Sequence, residues 1–172
     1  MEYVVLVDEH DNEVGTMEKL LAHQQGILHR AISVFIFNDN RELLLQRRAL
    51  GKYHSGGLWT NTCCSHPKPG EDAGDAASRR LFEEMGIVAD IQTEFTFLYR
   101  TTFENGLTEH ELDHVFSGTS NDIPQPDPDE VMEWKYLSMD AIIKEIEAHP
   151  EEFSYWFKLI VKEHRFKTLF AQ

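Results

Sequence analysis

Short apolar, β-branched runs separated by turn-forming residues fill most of this chain, and helical spacing takes over in only three stretches. Runs at 3–7, 31–37, 42–47, 58–62, 91–100, 111–119 and 131–137 predict strands. Residues 9–13 read as a turn after the first, and Asn38-Asp39-Asn40-Arg41 closes a hairpin between the second and third. At 72–85 the pattern changes: Ala77, Leu81 and Met85 recur every fourth residue and the run stops at Gly86, which predicts a helix with a glycine end. Residues 139–148 and 152–170 predict two more helices parted by His149-Pro150, and the Pro-rich patch at 123–128 predicts a surface loop. No repeat, linker or low-complexity tract interrupts the order. The pattern predicts a single layered domain over 1–172, of mixed α/β or α+β class.

Charge narrows the partners. Sixteen Lys and Arg against thirty Asp and Glu give a net charge of −14, which argues against nucleic acid and anionic membranes as general partners. An anionic small molecule would have to be met by a local basic pocket. The first residues lack a basic, apolar leader pattern, and no apolar run approaches the roughly 20 residues of a membrane-spanning helix. A reducing cytoplasm, with no membrane partner, is the expectation.

The two cysteines, Cys63 and Cys64, are adjacent. Neighbouring cysteines bond only through a strained ring, and a structural zinc site lacks its third and fourth thiolates. In an extended segment Cys64 and His66 share a face while Cys63 points to the other. A thiol beside a metal-bound imidazole would be acidified and could exchange protons near neutrality. His23 and His29, and the i, i+2 pair Glu109 and Glu111, are further possible metal ligands. Imidazole with carboxylate suits Mn²⁺, Zn²⁺ or Fe²⁺ better than Mg²⁺ alone.

Within the 72–85 helix, Arg80 and Glu84 lie one turn apart, ordinarily the mark of a solvated ion pair. The wider spacing says more. Glu71, Arg79, Leu81, Glu83, Glu84, Gly86 and Ile87 fall on the positions of Gly-x5-Glu-x7-Arg-Glu-U-x-Glu-Glu-x-Gly-U, where U is bulky and aliphatic. Residues 65–87 therefore resemble a Nudix box, which implies a mixed β-sheet sandwiched between helices, here with added N-terminal and C-terminal elements. Two positions depart from the pattern: Ser65 replaces the first Gly, and Arg80 replaces the Glu that in Nudix hydrolases helps bind metal and activate water. A guanidinium can grip a diphosphate but cannot activate water.

The departures fit one branch. From Gly15-Thr16-Met17-Glu18-Lys19 to Phe153-Ser154-Tyr155-Trp156, and most specifically at Thr60-Asn61-Thr62-Cys63-Cys64-Ser65-His66-Pro67, the chain resembles the type 1 isopentenyl-diphosphate Δ-isomerases. The resemblance implies interconversion of isopentenyl and dimethylallyl diphosphate through a tertiary carbocation, in isoprenoid biosynthesis. It implies Cys64 and Glu111 as the proton-handling pair, Glu111 as donor with help from Tyr99 and Cys64 as acceptor, and Trp156 as the carbocation's aromatic neighbour. It also implies Lys19, Arg48, Lys52 and Arg80 on the diphosphate, Glu84 sharing Mg²⁺ with it, and His23, His29, His66, Glu109 and Glu111 around one further divalent ion, Mn²⁺ or Zn²⁺. The partner is then a small C5 prenyl diphosphate, and a monomer is expected. His10, His54, His110, His114, His149 and His164 match no ligand position and are expected to be surface or structural. Asp113 shares the face of Glu109 and Glu111, Trp59 is expected to be structural or pocket-lining, and Arg47 a solvated edge cation. Two rival readings remain: a Nudix hydrolase of a diphosphate metabolite, and a non-catalytic module binding metal through His23, His29 and His66.

Overall fold

A computed structural model describes residues 1–171, the side chain of His164 excepted. Among the described residues nine strands form one mixed sheet: β1 (Tyr3–Val7), β2 (Glu13–Glu18), β3 (His29–Phe37), β4 (Leu43–Arg48), β5 (Trp59–Thr60), β6 (Cys63–Ser65), β7 (Ile91–Thr102), β8 (Thr108–Thr119) and β9 (Val131–Leu137). The helices are α1 (Lys19–Gln25), α2 (Ala73–Met85), α3 (Met139–Ala148), α4 (Tyr155–Lys162) and α5 (His164–Phe170). At the centre is β3. It pairs in parallel with β8 along its whole length and antiparallel with β6, and its two ends touch β1 and β4. The long β7–β8 hairpin and the β4–β9 pair extend the sheet on either side.

Alternation along β3 builds two cores. Ile32, Val34 and Ile36 face α2, where they meet Ala77, Leu81, Met85 and Cys63. Phe35 and Phe37 face the opposite layer, packing with Phe157, Phe166 and Phe170. Each such fully buried apolar side chain contributes on the order of 1.5–3 kcal/mol. The helix α2 starts where Asp72 accepts hydrogen bonds from the backbone N–H groups of Gly74 and Asp75. It ends at Gly86 with φ +67°, where a Cβ would stand 2.8 Å from the Gln125 carbonyl, so only glycine fits.

Three expectations are corrected. The strand predicted at 58–62 is only the two residues of β5, with β6 starting beyond it, because Asn61 and Thr62 turn their side chains inward: Thr62 Oγ1 accepts from the Ile36 N–H at 2.9 Å and donates to the Leu44 carbonyl at 2.6 Å. The predicted helix at 152–170 begins only at Tyr155, since Phe153 bridges to Trp59 and the Ser154 N–H donates to the Trp59 carbonyl. It then breaks at Glu163, which is extended (ψ 139°), and the turn brings Phe166 and Phe170 back onto β3. The elements β2 and α1 are additional. In α1 the buried residues are Ala22 and His23 while Leu20 and Leu21 are exposed, so its sequence carries no apolar stripe. Among the described residues, no helix is long and apolar enough to cross a membrane.

Candidate active site

Four donors converge where α1, β3, β6 and β8 meet. Parallel register sets His29 beside Glu111. The Nε2 atoms of His66, His29 and His23 lie 2.9, 3.3 and 3.8 Å from Glu111 Oε1. His23 Nδ1 donates to the Lys19 carbonyl at 2.7 Å and His29 Nδ1 to the Ile27 carbonyl at 2.8 Å. Those bonds fix the tautomer and aim the Nε2 lone pairs at one point. His29 Nε2 is buried with no hydrogen-bond partner among the described residues. Burial lowers His23 to about 4 and His66 to about 3, so both stay neutral and able to coordinate. Burial alone would raise Glu111, but His66 and His29 outweigh it and hold the carboxyl well below its usual range. Burial alone would lower His29, but Glu111 outweighs it and raises it; with neutral His23 and His66 and an ionised carboxylate these side chains form a donor set that fits a divalent metal ion.

Glu109 stands apart from these four. It shares the face of Glu111, but one strand repeat further along it meets different partners. Its Oε1 lies 2.7 Å from His54 Nε2, and its Oε2 lies 2.9 Å from the Tyr99 hydroxyl oxygen. The same hydroxyl lies 2.7 Å from Glu111 Oε2, so Tyr99 spans both carboxylates. Burial, then repulsion from Glu111, pushes Glu109 well above the normal carboxyl range.

The thiol lies on β6 opposite Ser33, on the face away from α2. Its Sγ is 3.0 Å from Asn61 Oδ1 and accepts the Trp156 Nε1–H at 3.0 Å, with Ser33 Oγ at 3.7 Å. The Asn61 amide nitrogen is spent on the Val34 and Cys63 carbonyls, so its oxygen faces the sulfur and accepts the S–H. Asp113, buried behind them, accepts the Ser33 hydroxyl at 2.6 Å. Burial, and next Asp113, push Cys64 up to about 12. Cys63 is fully buried in the α2 core.

Lys19, Arg48, Lys52 and Arg80, from α1, β4, the loop after it and α2, line one cavity of about 360 Å³ with Cys64, His66 and Glu84. Each already has a partner. Lys19 pairs with Glu2 at 2.8 Å, Lys52 with Glu130, and Arg80 with Glu83, Glu84 and Glu130 at 2.7, 2.6 and 3.1 Å. The Arg48 guanidinium lies 5.3 Å from the centre of the Trp156 ring. Glu84 is buried, its second oxygen accepting from Gln46 Nε2 at 2.9 Å. In the box, Arg79 clamps Glu71 through Nε and Nη2 at 2.7 and 2.9 Å. A recess of about 30 Å³ adjoins the cavity, lined by Cys64, Glu111, Tyr99, Trp156, His54 and Ser33 among others.

Residues 27–157 match the NUDIX domain family. The chain is 54% identical over 153 residues to isopentenyl-diphosphate Delta-isomerase 2 of Aromatoleum aromaticum, covering 89% of this chain and 81% of that one. It is 56% identical to the isopentenyl-diphosphate Delta-isomerase of Pectobacterium atrosepticum, covering 91% and 87%.

The chain belongs to the NUDIX family, among the isopentenyl-diphosphate Delta-isomerases.

Solved structures show the same fold at far lower identity. A protein of Deinococcus radiodurans superimposes with TM-score 0.75 at 19% identity, covering 92% of this chain and 97% of the other. A MutT protein of Methanosarcina mazei gives 0.68 at 20%, covering 82% and 94%.

In this isomerase-family chain several site residues carried no sequence signal. His54 is buried and lines the recess. Asn61 and Ser33 touch the sulfur, and Glu130 gathers Lys52 and Arg80. The other histidines lie outside the recess: His110 Nδ1 reaches the Gly26 carbonyl, His114 pairs with Asp11, and His10 and His149 are exposed. The His164 side chain lies outside the described residues. Trp59 packs in the core beneath Lys135, and Arg47 bonds the Gly57 carbonyl and Glu133.

Proposed function

We propose that this protein interconverts isopentenyl and dimethylallyl diphosphate. The observation that carries the reading is that a thiol and a carboxylate, Cys64 on β6 and Glu111 on β8, line one recess adjoining a basic cavity. The high identity to curated isomerases supports the same chemistry.

In this reading the diphosphate lies among Lys19, Arg48, Lys52 and Arg80, and the C5 chain enters the recess. A proton is added to the terminal methylene carbon, the adjacent tertiary carbon becomes cationic, and a proton leaves the methylene on its far side. One proton enters and one leaves while the double bond moves by one carbon. The hydrogen bonds around the sulfur support Cys64 as the proton carrier at rest, since Asn61 Oδ1 can only accept. The Tyr99 hydroxyl, 2.7 Å from Glu111 Oε2, supports it as the acceptor. This is the reverse of the roles expected from sequence, and the backward reaction exchanges them. The Trp156 ring beside the recess would stabilise the cation by about 0.5–2 kcal/mol, and the buried walls would keep water from capturing it.

His23, His29, His66 and Glu111, with Glu109 beside them, would hold Mn²⁺ or Zn²⁺, and Glu84 would share Mg²⁺ with the diphosphate. These ions would supply fixed positive charge that keeps Glu111 ionised and neutralises the phosphates. Arg80 already engages both Glu83 and Glu84, which favours diphosphate binding over hydrolysis.

The test is a proton NMR time course with isopentenyl diphosphate in D₂O. Deuterium should enter the C5 skeleton without phosphate release; phosphate release with no alkene shift would instead establish a hydrolase.

A further inference from the structure

The Pro-rich loop ahead of β9, Ile123-Pro124-Gln125-Pro126-Asp127-Pro128, leads through Asp129 to Glu130, which lines the basic cavity. Its prolines restrict the backbone, and hydrogen bonds seat it on two neighbours. The Gln125 and Asp127 N–H groups donate to the Met85 and Glu84 carbonyls at the end of α2, at 2.8 and 3.0 Å. The Ala49 N–H, just past β4, donates to the Glu130 carbonyl at 2.9 Å. Within the loop, the Glu130 and Val131 N–H groups close a turn on the Asp127 carbonyl. The backbone of Glu130 is thereby fixed to both α2 and the end of β4.

Its carboxylate reaches one cation from each side. Oε1 accepts from Arg80 Nη2 of α2 at 3.1 Å, and Oε2 accepts from the Lys52 ammonium in the loop after β4. Arg80 is also held from its own helix by Glu83 and Glu84. Lys52 has no such support. Its stem is long and rotatable, its loop turns through Ser55 and Gly57 at φ +53° and +78°, and among the described residues Glu130 is the one carboxylate paired with its ammonium. Burial alone would raise Glu130, but Lys52 and then Arg80 outweigh it and lower it, so the carboxylate stays charged between them. That charge offsets the repulsion of the two cations.

We propose that Glu130 is a positioning residue for the diphosphate, holding the Lys52 ammonium beside the Arg80 guanidinium so that cations from two separate elements meet one anion at a fixed spacing. The inference rests on the diphosphate reading above. A carboxylate in an anion site also opposes the anion, but the cavity lining keeps an excess of cations, so placement of Lys52 outweighs the added negative charge.

The experiment titrates the full chain, with Mg²⁺ present, with inorganic pyrophosphate in a calorimeter. Glu130→Asp keeps the charge and shortens the reach by one methylene; Glu130→Gln keeps the length and removes the charge. Both variants should bind pyrophosphate about 10-fold more weakly, since a misplaced binding group costs at least that much. With isopentenyl diphosphate KM should rise by a similar factor while kcat changes by less than about 2-fold, because Lys52 and Arg80 hold the end of the substrate that does not react. In a Lys52→Met background Glu130→Asp should cost less than about 2-fold further, because the two residues act as one unit. Tighter binding in Glu130→Gln with parent-like binding in Glu130→Asp would overturn the proposal and make Glu130 a simple counter-charge. Equal losses from Glu130→Asp in the parent and Lys52→Met backgrounds would overturn it too, in favour of a structural role. A parent that fails to bind pyrophosphate would instead overturn the diphosphate reading on which it rests.

Discussion

Cys63 and Cys64 are chemically identical neighbours that the pleat of β6 sends to opposite faces of the sheet. Cys63 fills the α2 core, where sulfur is one more apolar atom. Cys64 meets Trp156, Asn61 and Ser33 at the recess. Cys64→Ala should lower isomerisation by about 10²–10⁴-fold, the usual worth of a positioned proton-transfer group. Cys63→Ala should leave turnover near the parent and cost about 1 kcal/mol of stability. Steady-state rates with denaturant melts on both variants check this. The parity behind the contrast was legible in sequence. The acidity of the thiol was not, because it depends on burial and on Asp113, which arrives from β8.

At the scale of elements, the box between β6 and α2 is held by the clamp of Arg79 on Glu71. Charge-assisted hydrogen bonds of this kind are worth about 1.5–3 kcal/mol each, less where partly solvated as here. Arg79→Ala should therefore destabilise the fold by about 1–2 kcal/mol at neutral pH. The clamp holds Glu71 below the usual carboxyl range, so its contribution is present above the unfolded-state pKa and is lost as pH falls through the lowered folded value. Urea melts of parent and variant should accordingly converge in acid. The sequence spacing named this loop and helix correctly, but it hid α1. A helix that buries a histidine and exposes two leucines is stabilised by its packing against the sheet, not by its own pattern.

Across the whole molecule the four convergent donors come from four separate places: α1, β3, the residue just after β6, and β8. A metal bound there would join the N-terminal elements to the centre of the sheet and favour the folded state by mass action. At a free ion concentration about 100 times Kd the gain is about 2.7 kcal/mol, which for a chain of this size is roughly 5–10 °C in Tm. Removing the ion with a chelator should lower Tm by that amount, and adding Mn²⁺ back should restore it; calorimetry reads both. The same convergence sets a basic cavity into a chain of net charge −14.

The amino-acid order alone determined where most of the strands lie, where α2 starts and stops, and which residue types could carry the chemistry. Those features depend on contacts a few residues apart, on capping, and on alternation along one strand. Tertiary structure decided the rest. It turned Glu109 toward His54, set Arg48 over the Trp156 ring, kept the Cys64 proton on sulfur and broke the final helix at Glu163. Each of these is set by partners distant in sequence and by burial, and neither is visible until the chain has closed on itself.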